Sequence, residues 1–330
     1  MKVLVSGAGG FLGRAVVNSL LESGHLVRAI VRPSSPVPSW SDTVEVFRAD
    51  LRVSDNLVAA FDGVDAVMHL AAAVSGNEDT QFSSTVVATE RFLDAMGKSG
   101  VKRLVHVSSL VVYDWSKAGP CMDETTPLED KPYAMGGYTI SKVWQERVVT
   151  RFAKAHSWDL TIVRPGFIWG EDHANIAGMG RQFGRVYLLF GPFTRLPLCH
   201  VDNCADCLAV AVDNPAAFGE TFNLVDSDDV RVWRYAKEYA RRTGQRGALL
   251  PIPYRLGLGI AQSAALTSRL LFGRKGKLPS LLTPRRFESQ FKPIRFSNQR
   301  VTSKLNWKPR RSFDDCLNAS YKSSGQSHRG

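Results

Sequence analysis

Cysteine is scarce in this sequence, and long apolar runs are missing. Five cysteines (Cys121, Cys199, Cys204, Cys207, Cys316) are scattered over 330 residues. An odd number at irregular spacings does not make a disulfide framework, so a reducing cytosol is the expected compartment. The pair Cys204 and Cys207 has no second pair to complete a tetrahedral zinc site, and no metal is expected. No stretch of about 18 uninterrupted apolar residues occurs, so no spanning helix is expected. Met1-Lys2 runs directly into Val3-Leu4-Val5. That leaves no room for a charged region, an apolar region and a cleavage site, so no signal peptide is expected.

Acidic residues are nearly absent from one long segment. Between Arg231 and Arg311 there are 20 Lys and Arg against Glu238 and Glu288. That segment carries +18, while the remainder, 22 basic against 29 acidic residues, carries −7. Three readings stay open: a solvated basic face, a pocket for an anionic substrate, or attraction to an anionic membrane surface. Nucleic acid is not an expected partner, because no recognition motif or aromatic-interleaved stripe accompanies the charge.

What is present in the first half is a strict alternation of short β-branched runs and helical patterns, the mark of parallel βαβ units. Strands are expected at 3–6, 27–31, 44–47, 66–70, 103–107 and 160–163. Helices are expected at 11–23, 54–61, 81–98 and 138–156. After Arg164-Pro165-Gly166 the rhythm breaks, with a returning strand expected at 221–224 and a helix at 232–243. The expected fold is a Rossmann-type doubly wound parallel sheet over 1–165, rejoined by 199–225. A smaller, discontinuous α/β substrate lobe is expected from 166–198 and 226–312, and a fraying tail from 317 to 330.

Ser6-Gly7-Ala8-Gly9-Gly10-Phe11-Leu12-Gly13 lies between the first strand and first helix. Gly7, Gly10 and Gly13 allow a tight turn, close backbone approach and close helix packing. The helix start, with the amides of Phe11 and Leu12, then faces an anion. This is a dinucleotide pyrophosphate cradle. The second strand ends Val31-Arg32-Pro33 with no acid for a ribose 2′-hydroxyl. Arg32 suits a 2′-phosphate, so NADP(H) is expected over NAD(H), unless Arg32 is simply an exposed strand end. Asp50-Leu51 follows the third strand, where a carboxylate can accept from the adenine amino group. Leu70, Ala71 and Ala72 close the fourth strand with little bulk, leaving space for the cofactor. His69, inside an apolar run, is expected to be a hydrogen-bonded core residue.

Tyr138 and Lys142 stand at i and i+4, neighbours on one helical face. A free tyrosine ionises near pH ~10, and a neighbouring ammonium pulls that value down, making the phenol a usable acid and base. Upstream, Ser109 or its neighbour Ser108 ends the fifth strand, where a hydroxyl can polarise a substrate oxygen. Glu146, four residues beyond Lys142, is expected to pair with it electrostatically on the helix surface.

Taken in order, SGAGGFLG, Asp50-Leu51, DAVMHLAA, HVSSLVVY, YTISK, RPGFIWG, CHVDN and KLNWKP resemble the extended short-chain dehydrogenase/reductase superfamily, the NAD-dependent epimerase/dehydratase group. The resemblance implies a Ser109–Tyr138–Lys142 triad, and Tyr138, Lys142 and Pro165 as cofactor contacts. RPGFIWG and the PSLLTP segment are similar to the 3β-hydroxysteroid dehydrogenase branch. Thr85 stands where the family commonly has asparagine. Leu196, beside Arg195, stands where nucleotide-sugar members often carry a diphosphate-gripping arginine.

The expected activity is reversible hydride transfer at a secondary alcohol or ketone on an anionic or amphipathic small molecule, in a homodimer. The alternatives are a nucleotide-sugar epimerase or dehydratase, with Asp114, Asp123 and Glu124 near enough to supply an extra acid and base, and a non-catalytic cofactor-binding regulator. The apolar stretch from Leu249 to Phe272, interrupted by Arg255, Gln262 and Arg269 and followed by Arg274, Lys275 and Lys277, leaves two roles open. It is a helix covering an apolar pocket, or a peripheral contact with the cytoplasmic face of a membrane.

Overall fold

Short apolar strands alternating with amphipathic helices bury both faces of a sheet only when helices cover each side. In the computed structural model, which describes residues 1–245, 247–272 and 278–322, the sheet has seven strands. The chain runs through β1 (Lys2–Ser6), α1 (Phe11–Glu22), β2 (Leu26–Val31), β3 (Glu45–Arg48) and β4 (Ala66–His69). It continues with α2 (Glu78–Phe82), α3 (Ala88–Ser99), β5 (Arg103–Val107), the short β6 (Cys121–Met122), α4 (Gly137–His156) and β7 (Asp159–Pro165). Then come β8 (Phe167–Trp169), β9 (Gly180–Phe183), β10 (Val186–Phe190), β11 (Leu198–His200), α5 (Val201–Asp213) and β12 (Thr221–Leu224). The order across the sheet is β12-β7-β5-β4-β1-β2-β3, and every pair is parallel. Strand order reverses between β1 and β4, which opens the crevice at their carboxyl ends where such sheets bind ligands.

Alternation along each strand divides the core into two layers. Val3 and Val5 face Val16, Val17 and Leu20 of α1 and Cys204, Leu208 and Ala211 of α5. Leu4, Val67 and Leu104 face Phe92, Leu93 and Met96 of α3 and Val149 of α4. Cys204 and Cys207 are buried packing residues in the first layer.

The remainder comprises α6 (Val232–Thr243), β13 (Ala248–Ile252), α7 (Tyr254–Phe272), α8 (Pro284–Phe291), β14 (Arg295–Phe296), α9 (Gln299–Leu305) and α10 (Phe313–Lys322). β10 pairs antiparallel with β9 and parallel with β13. Trp169, Tyr187, Tyr235 and Phe313 fill a core of their own beside this sheet. The fold is a Rossmann-type doubly wound α/β sheet carrying a smaller C-terminal α/β lobe.

Four segments differ from the sequence expectation. Leu249 to Ile252, expected to share one helix with the residues up to Phe272, pair with β10 as part of β13, and the helix starts at Tyr254. The helix expected at 54–61 is only a 3₁₀ turn at Val58–Phe61. The expected helix over 81–98 starts at Glu78 and contains a π-turn over Ser83–Val87. Residues 317–322, expected to fray, form the end of α10, because Leu317 and Ser320 are buried, Leu317 against the second core. The rest of that expected tail, 323–330, and the cations Arg274, Lys275 and Lys277 lie outside the described residues.

Candidate active site

The glycine turn is shaped by contacts that no side chain could share. Gly7 has φ +74°, and a Cβ there would sit 2.9 Å from the Ala71 nitrogen. A Cβ at Gly13 would lie 2.1 Å from the Gly7 carbonyl oxygen and 2.6 Å from that of Ala8. The Gly10 amide donates to the Gly7 carbonyl at 3.0 Å, and the first helical bond runs from Arg14 N to Gly10 O. The amides of Phe11 and Leu12 therefore stand in the opening turn of α1, where orphan N–H groups and the helix dipole favour an anion. Half-buried Leu70, Ala71 and Ala72 line the opposite wall. These residues fit a dinucleotide pyrophosphate: the cradle is backbone, and an added Cβ at Gly7 or Gly13 would collide with the backbone of Ala71, Gly7 or Ala8 that shapes it.

At the far end of the crevice Arg32 is exposed, and its guanidinium has no partner among the described residues. Its carbonyl accepts from Arg48 Nη1 at 3.0 Å. Asp50 is less free than the sequence suggested. Both its oxygens are forked by Arg52, with Nε at 3.0 Å and Nη2 at 2.7 Å, and Arg52 holds its carboxyl below the usual range with help from Arg32. Leu51 is buried beside it.

Where β5 ends, the two serines separate. The Ser108 hydroxyl donates to Glu146 Oε2, whereas Ser109 lies close enough to the Tyr138 phenol for its hydroxyl to act on the phenol's pKa. Burial raises the Tyr138 pKa, and the Ser109 hydroxyl works against that rise. Lys142, one turn along α4, is buried, and desolvation pushes its ammonium down to about 7, with Glu146 opposing the shift. Its Nζ donates to the Val107 carbonyl at 2.8 Å and to Gln145 Oε1 at 2.5 Å. Pro165, buried at the end of β7, lies level with Leu224.

Residues 3–224 match the NAD dependent epimerase/dehydratase family. The chain belongs to that family. It is 28% identical over 96% of its length to a 3 beta-hydroxysteroid dehydrogenase/Delta 5-->4-isomerase of Mycobacterium tuberculosis, covering 89% of that protein. It is 31% identical to the sterol demethylase protein B of Methylococcus capsulatus, over 83% of this chain and 84% of that one. Among solved structures, a UDP-glucuronic acid 4-epimerase from Bacillus cereus in complex with NAD matches with a TM-score of 0.73 at 17% identity, covering 100% of both chains. At that identity the likeness is one of fold.

Against the family pattern, Thr85 sits in the π-turn, a feature that recurs at functional sites. Its hydroxyl accepts from the Ala73 amide at 2.9 Å and so fixes the wall beyond β4. His69 is a satisfied core residue, as the sequence suggested: Nδ1 meets Ser6 Oγ at 2.6 Å and Nε2 meets Thr89 Oγ1 at 2.8 Å, and burial pushes it down to about 3. Leu196 is buried in the lobe core, and Arg195 pairs with Asp229 at 2.6 Å.

Glu146 corrects the sequence reading. It is buried, not on a helix surface, and takes a fork from Arg164, with Nη2 at 2.5 Å and Nε at 3.1 Å. Arg164 Nη1 reaches the Tyr113 hydroxyl at 2.8 Å, which donates to Asn223 Oδ1 at 2.7 Å. Gln145, Thr89 and Asn223 escaped the sequence reading. For Gln145 the available signal was a polar side chain one turn from Lys142 on α4, and for Thr89 a polar side chain on the inward face of α3; Asn223, on β12, offered none.

The lobe reaches this region through α8. Arg285 bonds Glu129 at 2.9 Å and Asp114 at 3.4 Å, and Arg286 donates to the Met135 carbonyl at 2.7 Å. The loop leading to Tyr138 is thus held by two arginines of α8.

Proposed function

We propose that this chain catalyses reversible hydride transfer at a secondary alcohol or ketone, with Ser109, Tyr138 and Lys142 at the reacting centre and NADP(H) preferred. A bound nicotinamide dinucleotide supplies or accepts the hydride. Tyr138 gives its phenolic proton to the substrate oxygen during reduction and takes it back during oxidation. Ser109 donates a hydrogen bond to the same oxygen and polarises the carbonyl. Lys142 as an ammonium lowers the phenol's pKa and holds the ribose hydroxyls. The glycine turn, Leu70 to Ala72 and Pro165 hold the cofactor, and Arg32 takes the 2′-phosphate. The basic balance of the lobe, and relatives named for hydroxysteroids and sterols, favour an anionic or amphipathic substrate of sterol-like character.

The observation that carries this reading is the closeness of Ser109 to Tyr138 beside a buried lysine, at the carboxyl end of β5. A nucleotide-sugar epimerase is the second reading and has less support. Arg195 is tied to Asp229, and the acids that a dehydratase would need are engaged. Asp114 bonds Ser116, Lys117 and Arg285, and Glu124 accepts from the Asn223 amide at 2.7 Å.

Tyr138→Phe tests the mechanism. It should bind NADPH as the native protein does and lose ketone turnover by about 10²–10⁴-fold, the usual worth of a positioned acid–base. A thermal-shift screen of NADPH with sterols, polyisoprenyl ligands and nucleotide sugars tests the substrate class. Stabilisation by nucleotide sugars alone, with cofactor retained through purification, would reverse the order of the two readings.

A further inference from the structure

Helix α7 is fastened to the molecule along one side only. Ala261 is buried on that side, packing with Phe190, Phe287 and Phe291, while Tyr254 and Leu258 lean on the same cluster. On the other side Leu256, Ile260, Leu266, Leu270 and Leu271 are 50 to 77% exposed. At about 100° per residue these five fall within an arc of about 140°, so they form one predominantly apolar stripe along the helix, with the small exposed side chains of Ser263 and Thr267 between them. Scattered exposed leucines are ordinary on protein surfaces, but five large apolar side chains gathered on a single helix face mark a binding surface.

The charge pattern says what kind of surface it meets. Arg255, Gln262 and Arg269 recur every seven residues and so run as one polar rim beside the stripe. Helix α7 contains no aspartate or glutamate, and neither arginine has an acidic partner among the described residues. Apolar side chains edged by unpaired cations match the acyl and phosphate layers of an anionic bilayer. A second copy of the chain is a poorer fit. Two α7 helices packed antiparallel about a two-fold axis place both arginine rims on the same side, like charge beside like charge. No helix of the described residues is long and apolar enough to cross a membrane, so the contact would lie in the interface plane.

We propose that the exposed face of α7 docks this protein on anionic lipid surfaces, with Leu256, Ile260, Leu266, Leu270 and Leu271 inserted and Arg255 and Arg269 at the phosphates. α7 packs on α8, whose Arg285 and Arg286 hold the loop before Tyr138. Docking therefore sets the substrate lobe against the source of an amphipathic substrate. Only this last consequence rests on the reductase reading; the docking itself does not.

The test is co-sedimentation of the full chain with phosphatidylcholine vesicles, with and without phosphatidylglycerol. Binding is expected only with the anionic lipid, weakening as salt screens the arginines. Leu266→Gln with Leu270→Gln should weaken partition by about tenfold or more, since the pair removes two large apolar side chains from the inserted face. Both residues are well exposed, so the melting temperature should not change; Leu270→Gln alone serves if the pair aggregates. Arg255→Gln with Arg269→Gln should remove the preference for phosphatidylglycerol. Unchanged binding by the leucine variant would overturn the proposal, because it would assign attraction to the basic lobe at large. Absence of vesicle binding, together with self-association in sedimentation velocity that the same variant abolishes, would overturn it in favour of a second copy. Neither result depends on turnover, so failure of the reductase reading leaves this test intact.

Discussion

The amide oxygen of Gln145 lies 2.5 Å from the ammonium nitrogen of Lys142. The same amide donates to the Ala71 carbonyl at 2.9 Å and to Thr89 Oγ1 at 2.8 Å. Lys142 is thereby tied to the crevice wall beyond β4 through a side chain fixed at both ends. The other charged and titratable groups around it are Tyr138 and Glu146 on α4, His69 on β4, His106 on β5 and Arg164 on β7. Desolvation wins among these influences and pushes the ammonium down to about 7.

The first prediction follows from that contact. Gln145→Leu removes a neutral acceptor from a desolvated cation and should lower the Lys142 pKa further. Gln145→Glu places an opposite charge there and should raise it, since nearby opposite charge favours the ionised form. Lysine-selective ¹³C NMR of the cofactor-free protein reads this directly. Identical titration in the native protein and both variants would show that Gln145 has no hold on Lys142.

A pH dependence of stability accompanies the depressed value. Lysine ionises near ~10.4 when unfolded, so between that pH and about 7 the unfolded chain binds the proton that folded Lys142 does not. Stability from this group is present above the unfolded value and is lost as pH falls towards 7. The buried thiols of Cys199, Cys207 and Cys316, whose values burial pushes up, act in the opposite sense over this range, so the Lys142 contribution is read as a difference. The gap in denaturation midpoint between the cofactor-free native protein and Lys142→Met should move against the native protein on going from pH 10 to pH 7, and a gap that stays constant would exclude a Lys142 contribution.

Gly13→Ala should abolish dinucleotide binding. The added methyl would stand 2.1 Å from the Gly7 carbonyl oxygen and 2.6 Å from that of Ala8, so either the turn or α1 must move. Overpacking of this kind costs about 1–3 kcal/mol, visible as a lower melting temperature. Fluorescence titration with NADPH and with NADH checks the binding loss, and native affinity for either would show that the turn adapts.

The buried pair Glu146–Arg164 shows where sequence reasoning stops. Strand and helix periodicities, the glycine turn and the Tyr138–Lys142 spacing are local signals, and they place the sheet and the candidate residues from β1 to β7. The hydrogen-bonded partner of Glu146 is 18 residues away on the neighbouring strand, and i+4 spacing from Lys142 gave only its electrostatic neighbour. Asp50 is similar: its position was legible, but its fork with Arg52 was not. Gln145 and Thr89 carry no motif, and only the meeting of α3 with α4 brings them to Lys142. Glu146→Leu should cost about 3–5 kcal/mol, because it leaves the Arg164 cation buried and unpaired. Combining it with Arg164→Met should recover much of that loss, as chemical denaturation of the double variant would show. Equal destabilisation in single and double variants would mean that packing, rather than charge, dominates the site.

The proposed preference for NADP(H) rests on Arg32. It ends β2, has no side-chain partner among the described residues, and lies close enough to Asp50 to lower that carboxyl's pKa. Arg14, exposed in the first turn of α1, has a free guanidinium as well. Two unpaired cations with no acid at the strand end favour a 2′-phosphate over a 2′-hydroxyl. Arg32→Asp should reverse this in two ways at once. It removes a cation that attracts the phosphate, and it adds an anion that repels the phosphate and can accept from the bare hydroxyl. Charge-assisted hydrogen bonds contribute about 1.5–3 kcal/mol each, so NADPH affinity should fall roughly ten- to a hundredfold while NADH affinity rises. Competitive titration of both cofactors on native and variant protein measures the two changes separately. A ratio that does not move would leave Arg32 as a solvent-exposed strand end, and would return the choice between the two dinucleotides to Arg14 and the backbone around it.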